Sequence, residues 1–265
     1  YFLKTNIPQI IIVHDLIHLT IFKKRFLTFL YHKFLLGELI KNSKLILTPS
    51  FSTKNDLKNI LGIGEDKVKV ISYGINGKVF KKIEVKKENF YITVNPSFPY
   101  KNIEFLINIW HIFNVQDKLK IVGFNKPFNK YQRYLNYLVK NKSLEDKIEF
   151  LPKVSDEELV ELYNKAKALI SPSLKEGFNL PPLEALACGT PILLSDIPVH
   201  REIYGDIAIF FDINNPESFI EALKKLDGLD YSEFEKKRQE FIKKFSWENA
   251  AKQIYEIINS IFNQF

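Results

Sequence analysis

Along the chain, short runs of apolar residues alternate with longer segments whose apolar positions recur every three or four residues. The runs Ile10 to Val13, Leu45 to Leu47, Val68 to Ser72, Phe90 to Val94, Leu119 to Val122, Ile148 to Leu151, Ala168 to Ile170, Ile192 to Leu194 and Ala208 to Phe211 read as strands. Between them, 22–40, 52–61, 103–113 and 130–140 read as helices, and Ser155 with Glu158 forms a capping box for another that runs through Ala166. Such alternation predicts parallel sheets joined by crossover helices, an α/β chain. Lys78 to Asn89 is charged and without a clear period, and is the predicted linker. It divides a first unit, 1–80, from a doubly wound second unit, 81–245. In 246–265, Ser246 is the predicted cap of a helix whose apolar stripe is Trp247, Ala250, Ala251, Ile254, Ile257, Ile258 and Ile261.

The densest chemistry lies in Ser171-Pro-Ser-Leu-Lys-Glu176-Gly-Phe-Asn-Leu-Pro-Pro-Leu-Glu184-Ala-Leu-Ala-Cys-Gly189-Thr-Pro191. The pattern predicts a strand, a turn eased by Gly177, a helix with Pro181 and Pro182 in its first turn, and a stop at Gly189. A turn of this kind aims unpaired amides and the positive end of a helix dipole at one spot, which favours an anion such as phosphate. Glu176 and Glu184 beside that spot suit sugar and ribose hydroxyls, because one carboxylate accepts two hydroxyl protons. Spacing alone leaves open a solvated turn residue at 176 and a surface helix residue at 184.

The same segment, with Glu176 and Glu184 separated by seven residues, resembles the nucleotide-sugar signature of the retaining glycosyltransferases of family four, which have the GT-B fold. Val13-His14-Asp15-Leu16, Thr48-Pro-Ser50-Phe-Ser52, Val70-Ile-Ser-Tyr-Gly74-Ile, Tyr100-Lys101-Asn102, Val122-Gly123, Val154-Ser-Asp-Glu-Glu-Leu159 and Arg201-Glu202-Ile203 follow in the family's order. The resemblance implies two Rossmann-like domains facing a cleft, the first incomplete at its N-terminus, and a terminal helix crossing back to the first domain. The chain has no Met, not even at position 1, and opens almost directly on a strand, so it reads as cut from a longer one, with a Gly-rich acceptor-side loop in the missing part.

By resemblance, Glu184 would hold the ribose hydroxyls. Glu176 and the amides of Gly177, Phe178, Asn179 and Leu180 would hold the transferred sugar and distal phosphate, with Lys101 neutralising the pyrophosphate. The family's Arg companion to this Lys is missing from Val94-Asn-Pro-Ser-Phe-Pro-Tyr-Lys101, and Lys126 is a substitute only if it is more than an exposed loop residue. His14 is either a structural residue after a buried strand or a hydrogen-bond partner of the sugar, with Asp15 orienting it or the neighbouring backbone. A cation and a helix N-terminus can meet the leaving-group charge, so metal independence is expected; the resemblance implies retaining transfer of a hexose, mannose or glucose type, with no cofactor. The donor would be GDP-mannose or a UDP-hexose, the His-Asp-Leu segment leaning towards the mannosyltransferase-like branch. The acceptor would be a glycan or a lipid-linked glycan. The alternative is a nucleotide-binding partner or remnant that needs a second chain for activity.

Composition narrows the setting. The one cysteine, Cys188, excludes a disulfide framework and makes a reducing, cytoplasmic compartment the expectation. The net charge of +7 is compatible with nucleotides and membrane surfaces; without zinc-ligand spacing or an RNA-binding aromatic motif it does not point to nucleic acid. The basic, aromatic stretch from Phe22 to Phe34 is either a core-facing helix with a solvated face or a peripheral contact with the inner face of a membrane.

Overall fold

The computed structural model describes residues 9–20, 34, 37–40 and 42–262. The expected basic helix from Phe22 to Phe34, on which the membrane contact rested, lies almost wholly outside the described residues.

Two parallel sheets carry the fold. The smaller has the order β1 (Ile10–Ile12), β2 (Leu45–Thr48), β3 (Val68–Val70). The larger has the order β6-β5-β4-β7-β8-β9, built from β4 (Phe90–Val94), β5 (Lys118–Val122), β6 (Ile148–Leu151), β7 (Ala168–Ser171), β8 (Ile192–Ser195) and β9 (Ile209–Phe211). Every strand pair is parallel, so each connection crosses over a face and both faces are covered. The continuous apolar strands follow from that. Phe90, Ile92, Leu169, Ile192 and Leu194 enter one core, and their neighbours Tyr91, Ala168, Ile170 and Leu193 enter the other.

Helix α1 (Ile17–Thr20) follows β1, and α2 (Phe51–Leu61) follows β2. Ser50 caps α2 by accepting from the Thr53 amide, and Gly62, at φ 68°, ends it in the left-handed region that glycine enters without a Cβ penalty. Between the larger sheet's strands run α3 (Ile103–Ile112), α4 (Lys130–Asn141), α5 (Asp156–Lys165), α6 (Leu180–Ala187) and α7 (Pro198–Tyr204). The Ser155–Glu158 capping box is formed, with both reciprocal bonds present. After β9 come α8 (Pro216–Asp227) and α9 (Tyr231–Lys243), which the sequence reading left unassigned. Arg238 of α9 is buried and donates to the carbonyl of Leu186 at 2.9 Å, a cation on the C-terminal end of α6 where the dipole favours it.

The predicted linker crosses the surface of the larger sheet's domain as a fastened strap. Phe80 is buried, the Ile83 amide donates to Asn164 Oδ1 at 2.9 Å, and Asn164 Nδ2 donates to the Lys81 carbonyl at 3.0 Å. Helix α10 (Trp247–Phe262) returns to the smaller sheet, where Ala250, Ile254, Ile257 and Ile261 pack on Leu45, Leu47 and Ile71. Trp247 and Ala251 fall off the expected stripe: Trp247 is 46% exposed and Ala251 is exposed as well. The turn at α10 is fixed by close approach, since a Cβ on Gly74 would overlap the backbone of Ser246 and Trp247.

Candidate functional site between the two sheets

In the larger sheet the strand order reverses direction between β4 and β7, because β5 and β6 are laid down on one side of β4 and β7 to β9 on the other. The loops leaving the carboxyl ends of β4 and β7 therefore part and leave a crevice, the place where open α/β sheets bind ligands. Lys101 comes from the first loop and Glu176 from the second. They meet there: Lys101 Nζ donates to Glu176 Oε1 at 2.7 Å, with the side chains only 12% and 7% exposed. Ser173 Oγ donates to the same oxygen at 2.7 Å. The loops are also tied through their backbones, by the Leu174 amide on the Tyr100 carbonyl at 2.8 Å and by Asn102 Nδ2 on the Pro172 carbonyl at 3.2 Å.

Gly177 is the point of contact with the smaller sheet. A Cβ there would overlap the His14 carbonyl oxygen and lie 3.0 Å from Asp15 Cβ, so the loop after β1 rests directly on this turn. Ser50 Oγ donates to the Gly177 carbonyl at 2.7 Å. The two halves are further clasped by Glu202 of α7, whose two oxygens accept from the Phe51 and Ser52 amides at 2.6 and 2.8 Å, and by Lys175 on Asp56 at 2.7 Å. A carboxylate on the first turn of α2 meets both its unpaired amides and its dipole.

His14 is exposed, and its Nδ1 bonds the Tyr73 hydroxyl. Asp15 Oδ1 accepts from the Ile17 amide at 2.9 Å, so it orients backbone and leaves the histidine to Tyr73. Burial and the Asp15 charge push the Tyr73 phenol up to about 12. Tyr100 is raised too, first by burial and then by the Glu176 and Asp15 carboxylates. Phe178 turns its ring inward against Tyr73, Tyr204 and Phe245 and is buried. Asn179 is likewise turned inward. Its Nδ2 donates to Ser171 Oγ at 2.9 Å and meets His200 Nε2 at 2.8 Å. Leu180 begins α6 and is half-buried. On the next turn Glu184 is half-buried, and Tyr163 donates to its Oε2 at 3.0 Å. Burial raises the Glu184 carboxyl, and the tyrosine bond works against that rise.

The structure thus brings His14, Asp15, Lys101, Glu176 and the 177–180 turn into one neighbourhood, with Glu184 behind them on α6. Tyr73, Tyr100, Ser173, Asn179's buried partners and Glu202 were not picked out as site residues from the sequence. Tyr73 and Tyr100 lie in two of the segments that carry the resemblance and in the loops after β3 and β4, signals that would have flagged them. Lys126 is exposed on the loop after β5. A cavity of about 370 Å³ opens beside Glu176, with Ser52, Asn55 and Asp56 on one wall and Leu174, Ile197 and Val199 on the other. Among the described residues no cluster of three or more His, Cys, Asp or Glu side chains could hold a metal ion, and no helix is long and apolar enough to cross a membrane.

Comparison with known proteins identifies the fold and the family. The structure superposes on Alr3699/HepE of Anabaena, solved in complex with UDP and glucose, with a TM-score of 0.80, 16% identity, and coverage of 96% of this chain and 72% of that one. It superposes on a sucrose-phosphate synthase of Thermosynechococcus elongatus with a TM-score of 0.76, 21% identity, and coverage of 89% and 62%. The fold is therefore that of the GT-B glycosyltransferases. In sequence, the chain is 34% identical to the O-antigen chain mannosyltransferase RfbU of Salmonella typhimurium over 83% of its own length and 61% of that protein's. It is 25% identical to the O-antigen chain mannosyltransferase B of Escherichia coli over 82% and 61%. The chain thus spans about three-fifths of the length of these relatives. Residues 76–245 match the family of group 1 glycosyl transferases, and the chain belongs to that family.

Proposed function

We propose that the protein transfers a hexose from a nucleotide-diphosphate sugar to a glycan or lipid-linked acceptor, with retention of anomeric configuration and without a metal ion. Mannose from GDP-mannose is the first candidate, because the two relatives named above are mannosyltransferases; a UDP-hexose is the second. The observation that carries the reading is the buried Lys101–Glu176 pair at the point where the strand order reverses, against the first turn of α6.

In this reading the ribose hydroxyls donate to Glu184, a carboxylate with about four acceptor positions of which Tyr163 takes one. The distal phosphate lies on the amides of residues 177–180, where the α6 dipole adds to their charge. Lys101 swings from Glu176 to the leaving diphosphate, and Glu176, still held by Ser173, turns its acceptor capacity to the sugar hydroxyls. Cation and dipole stabilise the negative charge that develops as the glycosidic C–O bond breaks. The leaving phosphate oxygen takes the acceptor's proton on the same face of the sugar. Neither His14 nor Asp15 then acts as a Brønsted base. His14, oriented by Tyr73, binds the sugar, and the cavity between α2 and the loop after β7 receives the acceptor.

Substitution of His14 by alanine tests this division of labour. The expected result is a fall in kcat of about tenfold to a hundredfold, equivalent to about 1.4–2.7 kcal/mol of lost transition-state stabilisation, with the dissociation constant for GDP or UDP within about twofold of wild type. Equal losses in both would assign His14 to nucleotide binding and contradict the reading. Turnover should survive EDTA, and the product should keep the donor's anomeric configuration by NMR.

A further inference from the structure

His200 sits on α7, 0% exposed, and makes no direct contact with the residues assigned to donor or acceptor except through Asn179. Its partners define its state. The Ser195 carbonyl, 2.9 Å from Nδ1, can only accept, so Nδ1 carries the proton. In the neutral ring Nε2 is then an acceptor, which fixes the neighbouring Asn179 amide with its NH₂ towards the histidine, at 2.8 Å. Burial, reinforced by the Lys101 charge, lowers the imidazole to about 4, so the ring stays neutral across the working pH range. The other contacts in this pocket are uncharged: Asn179 Nδ2 on Ser171 Oγ, Ser195 Oγ on the Ser173 carbonyl, and Tyr204, whose hydroxyl donates to the Asn179 carbonyl at 2.6 Å.

Asn179 is the residue immediately before α6, and its backbone is left-handed, at φ 69° and ψ 75°. An L-residue adopts that conformation at a cost, although Asn tolerates it better than most. Here the cost is offset from behind, because side chain and carbonyl are both pinned in the buried network. The residue so held is the one from which the helix starts, where the first backbone amides have no partner within the helix. We propose that His200 is a positioning residue for the donor-phosphate turn, holding Asn179 in its left-handed conformation so that the 177–180 amides converge on one anion. The proposal rests on the function argued above and adds to it a residue that touches neither donor nor acceptor.

The test is the affinity for GDP and UDP, by calorimetry, alongside thermal stability. His200→Asn keeps a donor for the Ser195 carbonyl but has no atom at the Nε2 position; His200→Gln keeps an acceptor there. The expected result is about a tenfold weaker dissociation constant for His200→Asn, with His200→Gln within about threefold of wild type. Asn179→Ala, which leaves an L-residue in the left-handed region without its side-chain tether, should weaken binding by a similar factor. In an Asn179→Gly background, where the backbone needs no tether, adding His200→Asn should cost less than about threefold. A merely structural histidine would lower the melting temperature of His200→Asn and leave nucleotide affinity unchanged, or would cost the same affinity in the Asn179→Gly background; either result overturns the proposal. If wild type binds no nucleotide, it is the functional reading that fails.

Discussion

Lys101→Ala is expected to remove nearly all transfer activity and to destabilise the folded protein as well. Lys101 is the cation paired with Glu176, and no arginine accompanies it in residues 94–100. Losing it removes the charge that meets the leaving diphosphate, worth about 10²–10³ in kcat by analogy with deletion of a single preorganised donor. It also leaves Glu176, 7% exposed, with Ser173 as its remaining side-chain partner. Stranding one member of a buried pair costs about 3–5 kcal/mol. The two effects separate in a second variant. Lys101→Ala combined with Glu176→Gln should recover most of the lost stability in a urea titration, because no charge is left buried, and none of the activity. Recovery of turnover in the double variant would mean that Lys101 serves only to neutralise Glu176. Lys101→Arg should retain part of the activity, since the charge survives while its planar fork does not fit a site shaped for a point charge.

Gly177→Ala should cost about 10²-fold in kcat/KM while leaving the protein folded. The added methyl has no room, with the His14 carbonyl oxygen in its place and Asp15 Cβ at 3.0 Å. Both obstacles belong to the loop after β1, so the methyl is accommodated only by moving the turn or by parting the two sheets. Either shifts the groups that hold donor and acceptor relative to each other, and a displacement of about 1 Å is enough for a loss of that size. Gly62→Ala is the matched control. Its Cβ meets nothing within 4 Å, but its φ of 68° penalises any L-residue, so it should lower stability by about 1 kcal/mol and leave kcat/KM unchanged. Steady-state kinetics and thermal melts on both variants distinguish a steric effect at the cleft from a general loss of stability.

Much of the architecture was legible because parallel strands covered on both faces must be apolar throughout. Ile92, Leu169 and Leu193 announce themselves without any knowledge of their neighbours. The cap at Ser155 and the stop at Gly62 were legible for a local reason, since each satisfies backbone groups within a few residues of itself. Helices α8 and α9 were harder. Each buries only a few side chains among many charged ones, and one buried position of α9 is Arg238, whose purpose emerges only when the C-terminal end of α6 lies against it. The chemistry of the turn pointed to Glu176 and Glu184, the resemblance gave them and Lys101 their roles, and His14 and Asp15 stood out after a strand. That Lys101 pairs with Glu176 was not readable, because the two are brought together by the sheet order. The same holds for Glu202 on the α2 amides and for His200 behind Asn179, contacts that span 150 and 21 residues of chain.

Whether the α6 turn and Glu184 form a nucleotide-sugar site is decided by a thermal-shift titration with GDP, UDP, ADP and dTDP, run in parallel on Glu184→Ala. The expected result is a shift selective for one base, corresponding to about 2.7 kcal/mol at a hundredfold excess over the dissociation constant, and lost in the variant. An absent shift from a folded sample, or an equal shift with Glu184→Ala, would contradict it.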